Sequence, residues 1–168
     1  MTVRVGFVGA GFIARFHHLM LSGASTANEI VAVVDPDAER AASFAEATGA
    51  TVVADVEALV EQVDAVFVCT WTSAHHDAVA AAVAAGKPVF CEKPLATDLA
   101  GAEALTTLVQ GSGLTNQVGL VLRRSPAFTL VRQLLADPAA GRPMAVVLRD
   151  DQFLPTQGMY ESSCRADP

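Results

Sequence analysis

The sequence predicts an α/β domain: a doubly wound parallel sheet with helices on both faces. Three observations carry that prediction. The chain opens on a short apolar, β-branched run that stops at Gly9, where a helical pattern begins almost at once. Strand-like and helical runs then alternate as far as Leu122, an order that implies right-handed crossovers and parallel pairing. The composition is 52% hydrophobic and only 6% aromatic, with alanine-rich helical runs, which suits a sheet buried on both faces.

The first turn reads Gly9-Ala10-Gly11-Phe12-Ile13-Ala14. Gly9 permits a tight turn, and Gly11 has no side chain to keep a pyrophosphate from the backbone. The start of that helix offers N–H groups and partial positive charge to that anion, with Phe12 and Ile13 as expected contacts. Ala14 stands at the fingerprint's third glycine position and is small enough for close helix–strand packing.

An apolar run at residues 30–34 predicts the second strand. Asp35-Pro36 reads as an N-cap followed by proline at the first helical position, with Gly49 as the stop. A short strand is expected at 51–53, a brief helix capped by Asp55 through Gln62, and a buried strand at 65–69. An alanine-rich helix starts at Thr72 or Ser73 and ends at Gly86. A strand at 88–91 leads into Glu92-Lys93-Pro94, and Thr97 or Asp98 opens another helix fading into Gly111-Ser112-Gly113. A sixth strand is expected at 117–122. Residues 1–122 thus read as a dinucleotide-binding Rossmann domain. Beyond Arg123 a helix at 126–136, an Asp137-Pro138 stop and a strand at 144–148 precede an aperiodic stretch from 150 to 168. An unpartnered strand and a structureless tail make a poor ending for a domain. Residues 123–168 are therefore read as the start of an incomplete α+β second domain.

Composition also narrows the function. A net charge of −7 argues against nucleic acid as a partner. Every apolar run is interrupted by charge or glycine before it reaches membrane-spanning length, and no basic-then-apolar leader stands at the N-terminus. Cys69, Cys91 and Cys164 form an odd set without metal-ligand spacing, so no metal is expected and free thiols in a reducing cytoplasm are.

Asp35 lies about twenty residues past the phosphate turn, at the carboxyl end of the second strand. There a carboxylate accepts hydrogen bonds from the adenine-ribose hydroxyls and repels a 2′-phosphate. NAD is therefore preferred to NADP, although Arg40 is a cation that could greet a 2′-phosphate. The crevice of a doubly wound sheet opens where the strand order reverses, between the first and fourth strands. Thr70, Trp71 and Thr72 would line it after the fourth strand, and Glu92 and Lys93 after the fifth. A lysine there can hydrogen-bond a substrate hydroxyl or carbonyl and move a proton during hydride transfer.

Residues 5–17, residues 70–75, the segment Ala85-Gly86-Lys87-Pro88-Val89-Phe90-Cys91-Glu92-Lys93-Pro94-Leu95-Ala96, and residues 118–126 resemble the glucose–fructose oxidoreductase/inositol dehydrogenase/rhizopine-catabolism (Gfo/Idh/MocA) family. The resemblance implies an N-terminal dinucleotide domain, a following α/β domain with a large open sheet, and homo-oligomers paired through that sheet. It implies oxidation or reduction of a CH–OH group in a sugar, cyclitol or related polyol. It gives Lys93 the reacting hydroxyl and proton transfer, Glu92 a place by the nicotinamide ribose, and the Lys93–Pro94 bond a cis geometry. His75 and Arg124 join the expected cofactor contacts, and His17 falls at a common family position, although a helix histidine near a turn reads first as packing. The chain departs from the family in having Trp71-Thr72 where Pro-Asn is frequent, and in an extra His76. No residues match the Asp and His that the family places in its second domain. The alternative reading is a non-catalytic NAD-binding sensor or assembly module.

Overall fold

The computed structural model describes residues 1–149. Cys164 and the aperiodic stretch expected from 150 onward lie outside the described residues. Two compact units divide the chain, Met1–Gly119 and a second beginning at Leu120.

In the first unit, β1 (Val3–Val8) leads into α1 (Phe12–Ser22), β2 (Asn28–Val34) and α2 (Ala38–Thr48). Then come β3 (Thr51–Val52), α3 (Val56–Val60), β4 (Ala65–Val68), a 3-10 turn at Thr72–Ala74 and α4 (His75–Ala84). β5 (Val89–Cys91), α5 (Leu99–Ser112) and β6 (Asn116–Val118) complete it. The six strands form one sheet in the order β3-β2-β1-β4-β5-β6, and every neighbouring pair is parallel. The order runs outward from β1 in both directions, so a crevice opens at the carboxyl ends of β1 and β4.

Each sheet face has its own core. Beneath α3, α4 and α5 lie Val8, Leu59, Val63, Val66, Val68, Val79 and Leu105. Beneath α1 and α2 lie Val5, Phe7, Ala14, Ile30, Val33 and Phe44. The β1–β2 register shifts between Val5 and Gly6, and the extra β2 residue lets Ile30 and Val33 reach the same core. Four phenylalanines gather on that side: Phe7 lies 5.2 Å from both Phe44 and Phe67, and Phe67 stacks on Phe90 at 4.8 Å. Ala14 is fully buried, so α1 packs closely where the fingerprint requires a small residue.

The structure corrects several boundaries. Asp37, not Asp35, caps α2, accepting from the Arg40 backbone N–H. Asp35 is thereby released from the capping role. The alanine-rich helix starts at His75, after the 3-10 turn. β6 ends at Val118, and Val121–Arg124 is a 3-10 turn. Asp55 and Asp98 cap α3 and α5 as expected, through the Ala58 and Gly101 N–H groups.

In the second unit α6 (Pro126–Ala136) starts on proline, as expected, and leaves Phe128, Leu130, Val131, Leu134 and Leu135 exposed. The strand expected at 144–148 is not there. Residues 141–149 are irregular, with Met144 and Val147 both 93% exposed, since a strand needs a partner for its backbone groups. Among the described residues no helix is long and apolar enough to cross a membrane, and no cluster of three or more His, Cys, Asp or Glu side chains is placed to hold a metal.

Candidate functional site

Because all strands run parallel, their carboxyl ends share one rim, and the hydrogen-bond ladder continues one residue past them. Gly9 N–H donates to Val34 at 2.8 Å, Cys69 N–H to Val8 at 2.8 Å, Glu92 N–H to Val68 at 3.0 Å, and Gly119 N–H to Cys91 at 2.8 Å. Gly9, Cys69, Glu92 and Gly119 therefore stand side by side in one row.

Gly9 adopts φ +95, and a Cβ there would sit 2.7 Å from the Cys69 carbonyl oxygen. Both facts demand glycine. Gly11 is different: it is extended, with φ −73 and ψ −168, and an added Cβ would meet nothing within 4 Å. Glycine here serves no packing need inside the domain and leaves open space at the start of α1. Among the described residues no side chain caps that helix through Gly11, and its first turn carries no acidic residue, so the positive end of the helix can accept an anion. Phe12 is about half exposed at this end, and Ile13 packs against the buried aromatic core.

Asp35 closes the turn from the β2 side. Its Oδ2 accepts from the Ala10 N–H at 2.8 Å and its Oδ1 from the Asp37 N–H at 2.9 Å. A carboxylate has about four acceptor sites, so two bonds leave capacity for ribose hydroxyls. Arg40 is turned to Asp37, with Nη2 2.8 Å from Asp37 Oδ2.

On the other side of the crevice Thr70, half-buried, donates its hydroxyl to the Trp71 carbonyl at 3.2 Å. Trp71 is 47% exposed and Thr72 opens the 3-10 turn. His75 lies behind this loop, 1% exposed. Its Nε2 is 3.3 Å from the Thr70 carbonyl and its Nδ1 3.3 Å from the Leu95 carbonyl. Both partners are carbonyls and can only accept, so the ring is the donor. His75 thus joins the loop after β4 to the one after β5 from within. Both its ring nitrogens are engaged by these two carbonyls.

Glu92 is buried at the head of β5, 6% exposed. Its Oε1 lies 2.7 Å from His17 Nε2, and its Oε2 accepts from the Lys93 N–H at 3.0 Å. Burial pushes this carboxyl up, but the hydrogen bonds from His17 and the Lys93 N–H, with the electrostatic attraction of those two residues, outweigh it. The group is held below the ordinary glutamate range. Lys93 is exposed at the rim, and the Lys93–Pro94 bond is cis. Cys91 and Cys69 are buried free thiols. Burial, with Glu92 nearby, pushes Cys91 up to about 12 and Cys69 well above its ordinary value, which makes both inert packing groups. Arg124 belongs to the second unit, exposed at the end of its 3-10 turn.

Gly9, Gly11, Asp35, Thr70, Glu92 and Lys93 therefore share the sheet's carboxyl rim. Two residues of that rim escaped the sequence reading. His17 reads as packing and is packed, but it also grips Glu92. Gly119 lies inside the predicted sixth strand, and its isolation in an apolar run is the signal of a close approach.

A glycine turn at β1, an uncapped helix and an acidic β2 terminus define a dinucleotide-binding α/β domain. The model of the Gfo/Idh/MocA oxidoreductase family, NAD-binding Rossmann fold, matches residues 3–120. The chain belongs to that family. It is 40% identical over 148 residues to inositol 2-dehydrogenase 3 of Saccharopolyspora erythraea, covering 86% of this chain and 44% of that protein. The crystal structure of a putative myo-inositol dehydrogenase from Sinorhizobium meliloti is 34% identical and superimposes with a TM-score of 0.72, over 83% of this chain and 42% of that one. Scyllo-inositol dehydrogenase from Lactobacillus casei, solved with NAD(H) and scyllo-inositol, shares the fold with a TM-score of 0.76 at 23% identity, over 84% and 43%. The chain spans less than half the length of these relatives.

Proposed function

We propose that this chain is the nucleotide-binding portion of an NAD-dependent dehydrogenase that acts on a CH–OH group of a cyclitol, sugar or related polyol. One observation carries the reading. The open space at Gly11 lies at a helix start without a side-chain cap, in the same turn to which the Ala10 N–H fixes the Asp35 carboxylate. That combination suits a pyrophosphate joined to an unphosphorylated ribose, so NAD is favoured over NADP. Bound there, the dinucleotide supplies the hydride acceptor or donor. The backbone from Gly9 to Ile13 holds the diphosphate, Asp35 accepts from the adenine ribose, and Thr70, Trp71 and Thr72 flank the crevice. Glu92 offers its remaining acceptor sites to the nicotinamide ribose. Lys93 hydrogen-bonds the reacting oxygen and carries the proton that leaves or joins it, the catalytic role in this portion. His75 acts on the cofactor through the two loops it joins. Arg124 is proposed as a further cofactor contact by family resemblance.

The inositol dehydrogenases among the relatives make a cyclitol the first substrate to try. The full-length protein is proposed to be a cytoplasmic homo-oligomer with its substrate-orienting residues in a second domain, which we place from residue 123 onward. The 168-residue chain then binds cofactor without turnover, because an unpositioned alcohol forfeits about 7–11 kcal/mol of proximity benefit. Titration calorimetry of the chain with NADH and NADPH tests the site, with tighter NADH binding expected. Tighter NADPH binding refutes the cofactor assignment. Full-length protein given NAD with inositols and sugars should reduce NAD, and Lys93→Ala should abolish the rate. A rate untouched by that change removes Lys93 from the chemistry.

A further inference from the structure

Two residues without a part in the reading above converge on one carboxylate. His17, on α1, places Nε2 2.7 Å from Glu92 Oε1, with both side chains nearly buried at 13% and 8% exposure. Its ring stands edge-on to Phe90 at 4.8 Å and to Phe67 at 5.8 Å. The histidine therefore fills an aromatic slot and delivers one N–H group to a carboxylate that has little water. From the other side, a Cβ at Gly119 would sit 2.8 Å from Glu92 Oε1, 3.0 Å from its carboxyl carbon and 3.1 Å from Oε2. The Gly119 conformation is not left-handed, so what this glycine supplies is space for the carboxylate.

We propose that His17 and Gly119 are positioning residues for the nicotinamide end of the site, fixing Glu92 in one place. The inference rests on the dinucleotide reading above. Oε1 is held from α1, Oε2 receives the Lys93 N–H, and Gly119 leaves the group room in that position. Two of about four acceptor sites are then used internally, and the other two keep one fixed orientation toward a ribose hydroxyl. The same carboxylate steadies the backbone of Lys93. A free glutamate at this position would have to be ordered whenever cofactor binds. A buried one without a donor would lose a charge-assisted hydrogen bond.

The roles separate by substitution. His17→Phe keeps a ring in the slot and removes the donor, whereas His17→Gln keeps a donor near the Nε2 position. Affinities of the 168-residue chain for NADH and for ADP, which lacks the nicotinamide ribose, are measured by calorimetry, with the blue shift of NADH emission as a spectroscopic readout. His17→Phe should weaken NADH roughly tenfold or more, the worth of a hydrogen bond to a charged group, and leave ADP unchanged. His17→Gln should restore NADH to within about threefold of the parent, and Gly119→Ala should lose NADH affinity as selectively as His17→Phe. If His17→Phe does not fold, the His17→Phe/Glu92→Gln pair removes the buried charge, and its NADH affinity should equal that of Glu92→Gln alone. Equal losses for NADH and ADP, or no loss for either, overturn the positioning role, as does a further loss in the double variant. Failure of the parent chain to bind NADH at all overturns the dinucleotide reading, and this inference with it.

Discussion

Gly9 and Gly11 stand two residues apart in one turn, and replacing each by alanine should have opposite consequences. At Gly9 the residue must hold φ +95 with a Cβ 2.7–2.9 Å from three backbone atoms of Cys69 and Thr70. The conformation costs about 1–2 kcal/mol for an L residue, and forcing β1 and β4 apart adds about 1–3 kcal/mol. Gly9→Ala should therefore lose about 2–5 kcal/mol of stability. At Gly11 the backbone is already extended and the Cβ meets nothing. Alanine there restricts the unfolded chain, a gain of about 0.4–1 kcal/mol. It is a poorer N-cap than glycine by a similar amount, so the two effects nearly cancel. NADH affinity of Gly11→Ala should nonetheless collapse, because the methyl occupies the space proposed for the pyrophosphate. Urea denaturation and NADH calorimetry on the two variants give the comparison. A Gly11→Ala chain that binds NADH like the parent, or unfolds as early as Gly9→Ala, refutes the division of labour between the two glycines.

Asp35→Ser should narrow the NADH-over-NADPH preference by about tenfold, through loss of a charged ribose acceptor; calorimetry with both cofactors checks it. Phe7 is fully buried against Phe44 and Phe67, so Phe7→Ala should cost about 3–5 kcal/mol in urea denaturation. Glu92 is held below the ordinary glutamate value in the folded chain, so its stabilisation is complete above roughly pH 4.3. It is lost as pH falls through the lowered folded value. Glu92→Gln should accordingly show a shallower loss of thermal stability below that pH than the parent chain, and an equally steep loss would assign the acid sensitivity to other carboxylates.

The parts of this fold that were legible in the sequence are those decided locally. The stop at Gly9, the Asp55 and Asp98 caps and the proline start of α6 each follow from one residue's backbone or side-chain chemistry. The strand alternation then settles the parallel sheet. What escaped depends on distant neighbours. Asp35 looks like a helix cap beside Pro36, yet the Ala10 N–H, twenty-five residues earlier, claims its carboxylate and Asp37 takes the cap. The partnership of His17 with Glu92 spans seventy-five residues, and sequence alone shows a histidine in an apolar helix face. Residues 144–148 have the apolar content of a strand, but no neighbour to pair with among the described residues. Gly119 is the intermediate case, since an isolated glycine announces a close approach without naming what approaches.

The ladder of bonds at the rim also sets how the site breathes. The amides of Gly9, Cys69, Glu92 and Gly119 are donors to neighbouring strands, so they exchange with solvent when the sheet opens and not when a surface loop flickers. In a deuterium-exchange experiment these four should therefore resemble the buried strands, despite lying beside a crevice. The amides of Ile13 and Ala14 in the first turn of α1, where the helix offers no carbonyl four residues back, should exchange early. Cofactor binding should then register as slowed exchange at the glycine turn and leave the floor of the crevice nearly unchanged.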